Sequence, residues 1–317
     1  MTLPLNPEYD LSCELIDGDD SEFWLPEIEH ICQLHDISFD NMKKINGWAN
    51  GIFDLDGQYI VKVVPPNWAS QGERELASLT LLAGSTLPVA IPKLIADGEV
   101  NGWLYVIMDK LPGTNLHEIW TDLSEENQCL IVKQVAEFAN RLHAIPVPED
   151  SSLCLDWPAF LKEQKENCVE KRQKQGLTGP LLDDILNFVE KIDYQPVYNR
   201  PCLVHTDLHP GNLLAEKIDG QWHLSGVIDF GDAFIGNDRY FEYATSAILM
   251  GLGNKVVNRA LFDAYQFEIE DKKQFAQHLM ALSLLRHTGE MAYVLQQVPG
   301  CDELSDWQSV ADRFFAL

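Results

Sequence analysis

The chain has 317 residues, of which 46% are hydrophobic and 23% charged, and its formal net charge is −26. This composition excludes a disordered chain, and the length allows one large domain or two lobes with a substantial core. The negative charge excludes nucleic acid and anionic membranes as expected partners, whereas it would attract a small cationic substrate.

The cysteine content and the apolar runs point to a cellular compartment. The seven cysteines are scattered and odd in number, which favours a reducing environment without a disulfide framework. The N-terminus has no signal-peptide pattern, and no apolar run approaches the roughly 20 residues of a membrane-spanning helix. We therefore expect a cytoplasmic protein. A monomer or a weak dimer is the expected oligomeric state.

The first 110 residues divide into two predicted segments. Residues 1–40 are acidic, carry apolar residues at helical spacing and are expected to form a helical appendage. Residues 41–110 are rich in strand signals and form the predicted nucleotide-binding N-lobe. Two hairpins with turns at Asp56-Gly57 and Asn101-Gly102 flank a predicted helix. The predicted strands are 50–55, 59–64, 93–96 and 103–108, and the helix is 71–82.

Residues 111–317 are predicted to form a larger, mostly helical C-lobe. An amphipathic helix is expected at 124–143, and further helices at 157–194 and 238–317. Strand-like runs occur only within 201–231. The fold class is therefore α+β, with a small antiparallel β-rich N-lobe and a helical C-lobe, and the cleft between such lobes is a common ligand site.

The stretch from Leu203 to Asn212 reads Leu-Val-His-Thr-Asp-Leu-His-Pro-Gly-Asn, and it carries the strongest chemical signal. Asp207 precedes Asn212 by five residues, which is the H-x-D-x-x-x-x-N spacing of a kinase catalytic loop. Asp229-Phe230-Gly231 follows, and it spells the metal-binding triplet of kinases. The two motifs, in this order and each after an apolar strand-like run, indicate phosphoryl transfer.

Each polar residue of these motifs has a predicted role. Asp207 is the candidate general base for an acceptor hydroxyl. Asn212 and Asp229 are candidate Mg²⁺ ligands, because this ion prefers oxygen donors. Taken alone, Asp207 is compatible with a surface loop and Asn212 with a turn. We expect His205 and His209 to brace the loop.

A lysine in the N-lobe is the candidate phosphate contact. Lys62 lies in Ile-Val-Lys-Val, which is similar to the V-A-I-K strand of kinases, although an outward-facing lysine fits the same pattern. Glu75 on the following helix is the expected partner of this lysine, with Glu73 as the alternative. Asn50 lies in a glycine-containing turn that is a candidate cover for the nucleotide phosphates.

Over residues 40–250 the sequence resembles the aminoglycoside phosphotransferase family, which includes choline-kinase-like enzymes. The likeness rests on the two catalytic motifs, Gly47-x-x-Asn50, Lys62, Arg74-Glu75 and Leu142-His-Ala-Ile145. It implies a protein-kinase-like bilobal fold, ATP or GTP with Mg²⁺, and transfer of the γ-phosphate to an alcohol group. It also implies that the connector Met108, Asp109 and Lys110 binds the purine.

Some features separate this sequence from protein kinases and from the family pattern. Thr206 replaces the arginine of the protein-kinase catalytic loop, and no A-P-E motif follows the triplet. The family pattern of Gly-Asp-Pro and an acidic residue is represented by Gly236 to Glu242, with one additional residue. The two differences from protein kinases favour a small-molecule kinase.

The acceptor is expected to be a cationic, hydroxylated small molecule. The resemblance makes an aminoglycoside or amino sugar the first expectation, as in antibiotic-resistance enzymes, and leaves choline, ethanolamine, homoserine or a sugar open. A catalytically inactive nucleotide-binding relative is a further alternative. Four acidic residues are candidate contacts for such a substrate: Asp232, Asp238, Glu242 and Glu290.

Overall fold

The computed structural model describes most of the chain. It covers residues 3–5, 7–18, 21–45, 49–194, 200–266, 269, 271–286, 290–301, 303–315 and 317. The chain divides into two compact units. The first comprises Met1–Ser85, Ala90–Pro112 and Ile228–Asp232, and the second comprises Thr86–Val89, Gly113–Val227 and Ala233–Leu317.

The first unit is built around an antiparallel sheet of five strands in the order β1-β2-β3-β5-β4. Both predicted hairpins are confirmed: the central residues Asp56, Gly57, Asn101 and Gly102 all have positive φ angles, as tight hairpin turns require. Strand β1 was not predicted. The elements are α1 (Tyr9–Asp17), α2 (Ser21–Gln33), β1 (Met42–Ile45), β2 (Gly51–Leu55), β3 (Tyr59–Val64), α3 (Ala69–Leu82), β4 (Leu94–Val100) and β5 (Trp103–Asp109).

The N-terminal helices share a single apolar core with one face of this sheet. Trp24 of α2 is fully buried, and its ring lies 5.0 Å from that of Phe53 on β2 and 6.2 Å from that of Trp103 on β5. Val61 and Val63 of β3 belong to the same core. The first unit therefore includes α1 and α2 as structural parts of its core.

Helix α3 packs closely against the sheet through Gly72. A β-carbon at this position would lie 2.7 Å from Leu104 Cδ2 and 3.1 Å from Val64 Cγ2. The glycine thus allows the helix to approach the sheet closely.

Lys62 lies on the opposite face of β3 from the apolar core. Successive side chains of a strand point to opposite faces, so Lys62 faces away from the core that contains Val61 and Val63.

The second unit is mainly helical and contains two small sheets. Strands β6, β8 and β9 form one antiparallel sheet, and β7 pairs with β10 in the other. Across the described part of the chain, every helix is too short or too polar to cross a membrane. The elements are β6 (Thr114–Asn115), α4 (Glu125–His143), α5 (Trp157–Lys174), α6 (Pro180–Asp183), α7 (Ile185–Val189), β7 (Cys202–Val204), β8 (Leu213–Ile218), β9 (Gln221–Val227), β10 (Phe234–Gly236), α8 (Tyr240–Leu249), α9 (Lys255–Ala264), α10 (Lys272–Leu285), α11 (Met291–Gln297) and α12 (Trp307–Phe315).

The predicted helix boundaries hold in one place and fail in another. Helix α4 begins directly after Ser124, whose side chain accepts the Asn127 N–H and caps the helix. The helical region predicted at 157–194 is instead divided into α5, α6 and α7. Gly176 and Gly179 both have positive φ angles, which interrupt the helical path.

We predict that replacing Trp24 with Ala lowers the free energy of unfolding by about 3–5 kcal/mol, because it leaves a cavity in the shared core. Urea denaturation followed by circular dichroism measures this loss. Leu25→Ala is the matched control on the same helix, since Leu25 is 39% exposed. Equal losses for the two variants would contradict a core role for α2.

Candidate active site

Lys62 forms a buried ion-pair cluster in the first unit. Its Nζ lies 2.6 Å from Glu75 Oε2 on α3 and donates to Asp229 Oδ1 at 2.9 Å. Burial alone would lower the pKa of Lys62, but the Asp229 and Glu75 carboxylates raise it above its ordinary value. The lysine is therefore charged, and its partner is Glu75, whereas Glu73 is exposed.

Asp229 is held in a strained backbone conformation. Its φ angle is +64°, a left-handed value that is uncommon for residues other than glycine. The neighbouring Phe230 is fully buried and anchors the triplet. Oδ1 accepts from Lys62 and from the Gly231 N–H, while 41% of the side chain stays exposed. The carboxylate is thus fixed at one oxygen and accessible to a ligand.

The predicted catalytic loop follows β7 and places Asp207 in a network of three donors. Arg286 Nη2 donates to Oδ1 at 2.5 Å. Asn212 Nδ2 donates to Oδ2 at 2.8 Å, and His209 Nε2 lies 3.3 Å from the same oxygen. A carboxylate has about four lone-pair positions, so the network still leaves one for a hydroxyl proton.

His209 has a defined orientation in this loop. Its Nδ1 accepts the Gly211 N–H at 3.1 Å, so in the neutral ring the proton lies on Nε2, which faces Asp207. The bracing role predicted for His209 therefore includes direct contact with the candidate base. His205 is fully buried, and its Nδ1 accepts the Asp207 N–H at 3.3 Å.

The surroundings keep Asp207 ionised. Burial on its own would raise the pKa of this carboxyl group, but Arg286 and then His209 lower it well below its ordinary value. A carboxylate that is to receive a proton from a hydroxyl must start in this deprotonated form.

Helix α8 holds the backbone of the catalytic loop through three side chains of one helix face. Glu242 is fully buried and accepts the N–H of His205 at 2.5 Å and that of Thr206 at 2.9 Å. The hydroxyl of Thr245 donates to the Thr206 carbonyl at 2.9 Å, and that of Ser246 donates to the Leu208 carbonyl at 3.0 Å. The loop is therefore fixed from one side by a single helix.

This arrangement corrects the expectation that Glu242 contacts substrate. Both oxygens of Glu242 bind backbone amides, and the side chain has no exposed surface. Asp238 is also buried; it accepts the Tyr240 N–H and lies 3.0 Å from His278 Nε2. In the first unit, Asp232 Oδ1 accepts from Gln71. Of the four acidic residues, Glu290 is exposed.

The connector residues begin at the end of β5. Met108 is buried and paired in the sheet, and the Asp109 N–H donates to the Lys93 carbonyl. The Lys110 N–H donates to the Gln58 carbonyl, and its Nζ pairs with Asp54 at 2.7 Å. These two amides are therefore already bonded within the unit. Asn50 is buried just before β2, whereas Gly47 lies outside the described residues.

The oxygen donors of Asn212 and Asp229 fit a hard divalent cation. Asn212 uses its amide nitrogen on Asp207, which leaves the amide oxygen as the atom to offer to a metal. Asp229 offers the carboxylate oxygen that Lys62 does not hold. Amide and carboxylate oxygens are the ligands Mg²⁺ prefers, and phosphate oxygens supply others. The donor chemistry of both residues thus suits the predicted metal.

A shallow pocket, of about 370 Å³ when the open solvent at its mouth is included, lies in the second unit next to the candidate base. Arg286, which contacts Asp207, and Thr245 form part of its wall. Most of the wall is apolar and comes from α8 and α11, and its described lining residues include no carboxylate.

Comparison with known proteins identifies the family. The phosphotransferase enzyme family, APH, matches residues 42–276, which is well over half of the chain. The chain belongs to this family. The chain is 26% identical over 170 residues to the aminoglycoside 3′-phosphotransferase of Streptomyces fradiae. That alignment covers 50% of this chain and 58% of the relative, so the chain matches little more than half of the relative's length.

Solved structures of similar fold confirm the predicted architecture. The complex of APH(2″)-IIIa with GDP and kanamycin has a TM-score of 0.67 and 22% identity, and the match covers 92% of this chain and 97% of that one. The ternary complex of APH(2″)-IIa with streptomycin and ATP has a TM-score of 0.61 and 20% identity, covering 84% and 92%. At this identity, the likeness establishes the fold.

Sequence reasoning missed Arg286, Thr245 and Ser246. Arg286 lies 79 residues from Asp207 along the chain, at the end of α10. Its position carries no motif. The spacing of Glu242, Thr245 and Ser246 places them on one face of a helix. This spacing is the sequence feature that indicates that the three side chains can contact the same segment.

We predict that Glu242→Gln weakens the loop without changing side-chain size. A glutamine must turn its NH₂ group toward one of the two backbone N–H groups, and it lacks the charge that strengthens the other bond. The amides of His205 and Thr206 should then exchange hydrogen at least about tenfold faster, equivalent to about 1.4 kcal/mol of local stability.

Hydrogen exchange followed by mass spectrometry measures this change. Glu216→Gln is the control, because Glu216 is exposed on β8. Unchanged protection of the loop amides in Glu242→Gln would show that the carboxylate does not hold them.

Proposed function

We propose that this chain transfers the γ-phosphoryl group of a nucleoside triphosphate to a hydroxyl group of a small molecule. The observation that carries the proposal is the set of three donors around Asp207, in a loop with the H-x-D-x-x-x-x-N spacing. Membership of the phosphotransferase enzyme family supports the same reaction class.

In the proposed reaction, Asp207 acts on the acceptor. The acceptor hydroxyl oxygen forms a bond to the γ-phosphorus as the bond from that phosphorus to the β–γ bridging oxygen breaks. The hydroxyl proton passes to the Asp207 carboxylate, and the nucleoside diphosphate leaves. The transition state is largely dissociative, so the proton moves late and the orientation of the carboxylate matters more than its basicity.

In the same proposal, Lys62, Asp229 and Asn212 bind the nucleotide phosphates and their metal ion. The charged Lys62 would contact the phosphates while Glu75 holds its ammonium group in place. Asn212 and Asp229 would bind Mg²⁺, which neutralises charge on the phosphates when bound. Asn50 and the connector at Met108, Asp109 and Lys110 are the proposed contacts to the rest of the nucleotide. Both ATP and GTP are candidate donors.

Aminoglycosides and amino sugars are the first proposed acceptors. The support comes from the Streptomyces fradiae relative and from the two structures that contain streptomycin and kanamycin. The second candidate is a less cationic hydroxylated metabolite, such as a sugar or homoserine. The pocket favours this alternative, because Arg286 and apolar residues form its wall and the described lining has no carboxylate.

We predict that Asp207→Asn lowers kcat by about 10²–10⁴-fold, because asparagine keeps the shape but cannot accept the proton. Nucleotide affinity, measured by calorimetry, should stay within about twofold of the unchanged protein, since in the proposed arrangement Asp207 acts on the acceptor rather than on the nucleotide. Asp219→Asn is the matched control: Asp219 is exposed and has a φ angle of +50°, which asparagine also tolerates.

The decisive measurement is the rate at which ATP or GTP is consumed in the presence of each of a panel of aminoglycosides, amino alcohols and sugars. The Asp207→Asn variant is the negative control. Detection of a phosphorylated acceptor by mass spectrometry supports transfer and names its class. Nucleotide binding without transfer to any acceptor would instead identify an inactive relative. Expression in a drug-sensitive bacterial host tests whether an aminoglycoside product protects cells.

We predict that Asp229→Asn weakens magnesium-dependent nucleotide binding by at least about tenfold, because a neutral amide replaces a charged oxygen ligand. Asparagine tolerates the φ angle of +64° at this position, so the backbone should be preserved. Calorimetry in Mg²⁺ and in EDTA separates the two contributions. If the nucleotide affinity falls equally with and without Mg²⁺, Asp229 positions Lys62 and does not bind the metal.

A further inference from the structure

Arg286 lies against the candidate base without belonging to either catalytic motif. Its Nη2 donates to Asp207 Oδ1 at 2.5 Å, and its side chain is only 11% exposed. Removing one partner of a partly buried pair costs more than removing one partner of a surface ion pair, because the remaining carboxylate loses the compensation for its burial. Among the described side-chain contacts of Asp207, the one to Oδ1 comes from Arg286.

Other groups in turn fix Arg286. Its Nη1 donates to the Thr245 hydroxyl, and that hydroxyl donates to the carbonyl of Thr206, the residue before the base. The carbonyl of Arg286 accepts from Lys171 Nζ at 2.8 Å and from Arg172 Nη2 at 2.9 Å. The side chains of Arg286 and Thr245 thus close a ring with Thr206 and Asp207.

The ring acts on the carboxylate more than on the loop backbone. Glu242 and Ser246 bind the loop amides and the Leu208 carbonyl independently of Arg286. Removing Arg286 would leave these bonds in place. Removing Arg286 would instead release Oδ1 of the Asp207 side chain. The remaining described contacts of this side chain, to Asn212 and His209, are on Oδ2.

We propose that Arg286 is a positioning residue for phosphoryl transfer, which holds Asp207 Oδ1 so that its remaining lone pair meets the acceptor hydroxyl. This inference rests on the proposed function. Small errors in the placement of a reacting group are costly: a displacement of about 1 Å reduces rates by about 100-fold. The arginine supplies this orientation from a distant helix.

The test compares Arg286→Gln, Arg286→Lys and the control Arg259→Gln, whose residue is exposed on α9. For an acceptor found in the panel, Arg286→Gln should lower kcat by about 100-fold, with the KM values for nucleotide and acceptor within about threefold. Arg286→Lys should recover part of the loss, since an ammonium group makes one of the two contacts but lacks the planar fork.

Thr245→Val provides an independent variant that keeps Arg286. It removes the hydroxyl that orients the guanidinium, so kcat should fall by about tenfold in the wild-type background and much less in Arg286→Gln. Such non-additivity is the result expected if both residues act through Asp207, whereas additive losses would show that they act separately. Thermal unfolding and nucleotide binding confirm that each variant is folded.

Three results would overturn the proposal. They are an unchanged kcat in Arg286→Gln, a rise in acceptor KM alone, which indicates a direct acceptor contact, and loss of folding in both Arg286→Gln and Thr245→Val, which indicates a structural role. If wild type and Asp207→Asn consume nucleotide equally with every acceptor, the proposed function itself fails and the inference falls with it.

Discussion

The buried carboxylate of Glu242 is the interaction on which the catalytic loop depends. A fully buried charge is costly unless hydrogen bonds compensate it, and here two backbone N–H groups of the loop do so. The charge therefore stabilises only one loop conformation, including the positive φ angle of Thr206. Because Thr206 directly precedes Asp207, the position of the candidate base depends on this buried charge.

Each unit contains a buried charged side chain that is surrounded by compensating partners, and the two charges have opposite signs. In the first, the buried Lys62 cation lies between the Glu75 and Asp229 carboxylates. In the second, the Asp207 carboxylate lies between Arg286, Asn212 and His209. Each functional group keeps its charge because its partners offset the cost of burial, and each retains some capacity for a further ligand.

Local patterns made part of this structure predictable. The turn residues Asp56-Gly57 and Asn101-Gly102 specify hairpins by their tolerance of positive φ, and Ser124 marks the start of α4 through its cap. The sequence predicts Glu75 as the partner of Lys62, with Glu73 as the alternative, because a strand and the following helix place them at a suitable distance. These features depend on residues that are close along the chain.

Contacts between distant residues were not predictable in the same way. Arg286 reaches Asp207 only through the packing of α10, and no periodicity or motif records that packing. Glu242 appeared to be a substrate residue because its acidity is visible in the sequence, whereas its burial is not. The same limit applies to Asp238, which pairs with His278 on α10 inside the second unit.

The placement of Arg286 also bears on which acceptors suit this site. The net charge of −26 attracts cations at long range, where many charges contribute and salt screens them. Next to Asp207, however, the Arg286 guanidinium pairs with the carboxylate and offsets the attraction that the carboxylate would exert on an ammonium group. In the proposed reaction, long-range charge would therefore draw a cationic acceptor toward the protein, whereas the paired Asp207 carboxylate would bind its hydroxyl in preference to an ammonium group.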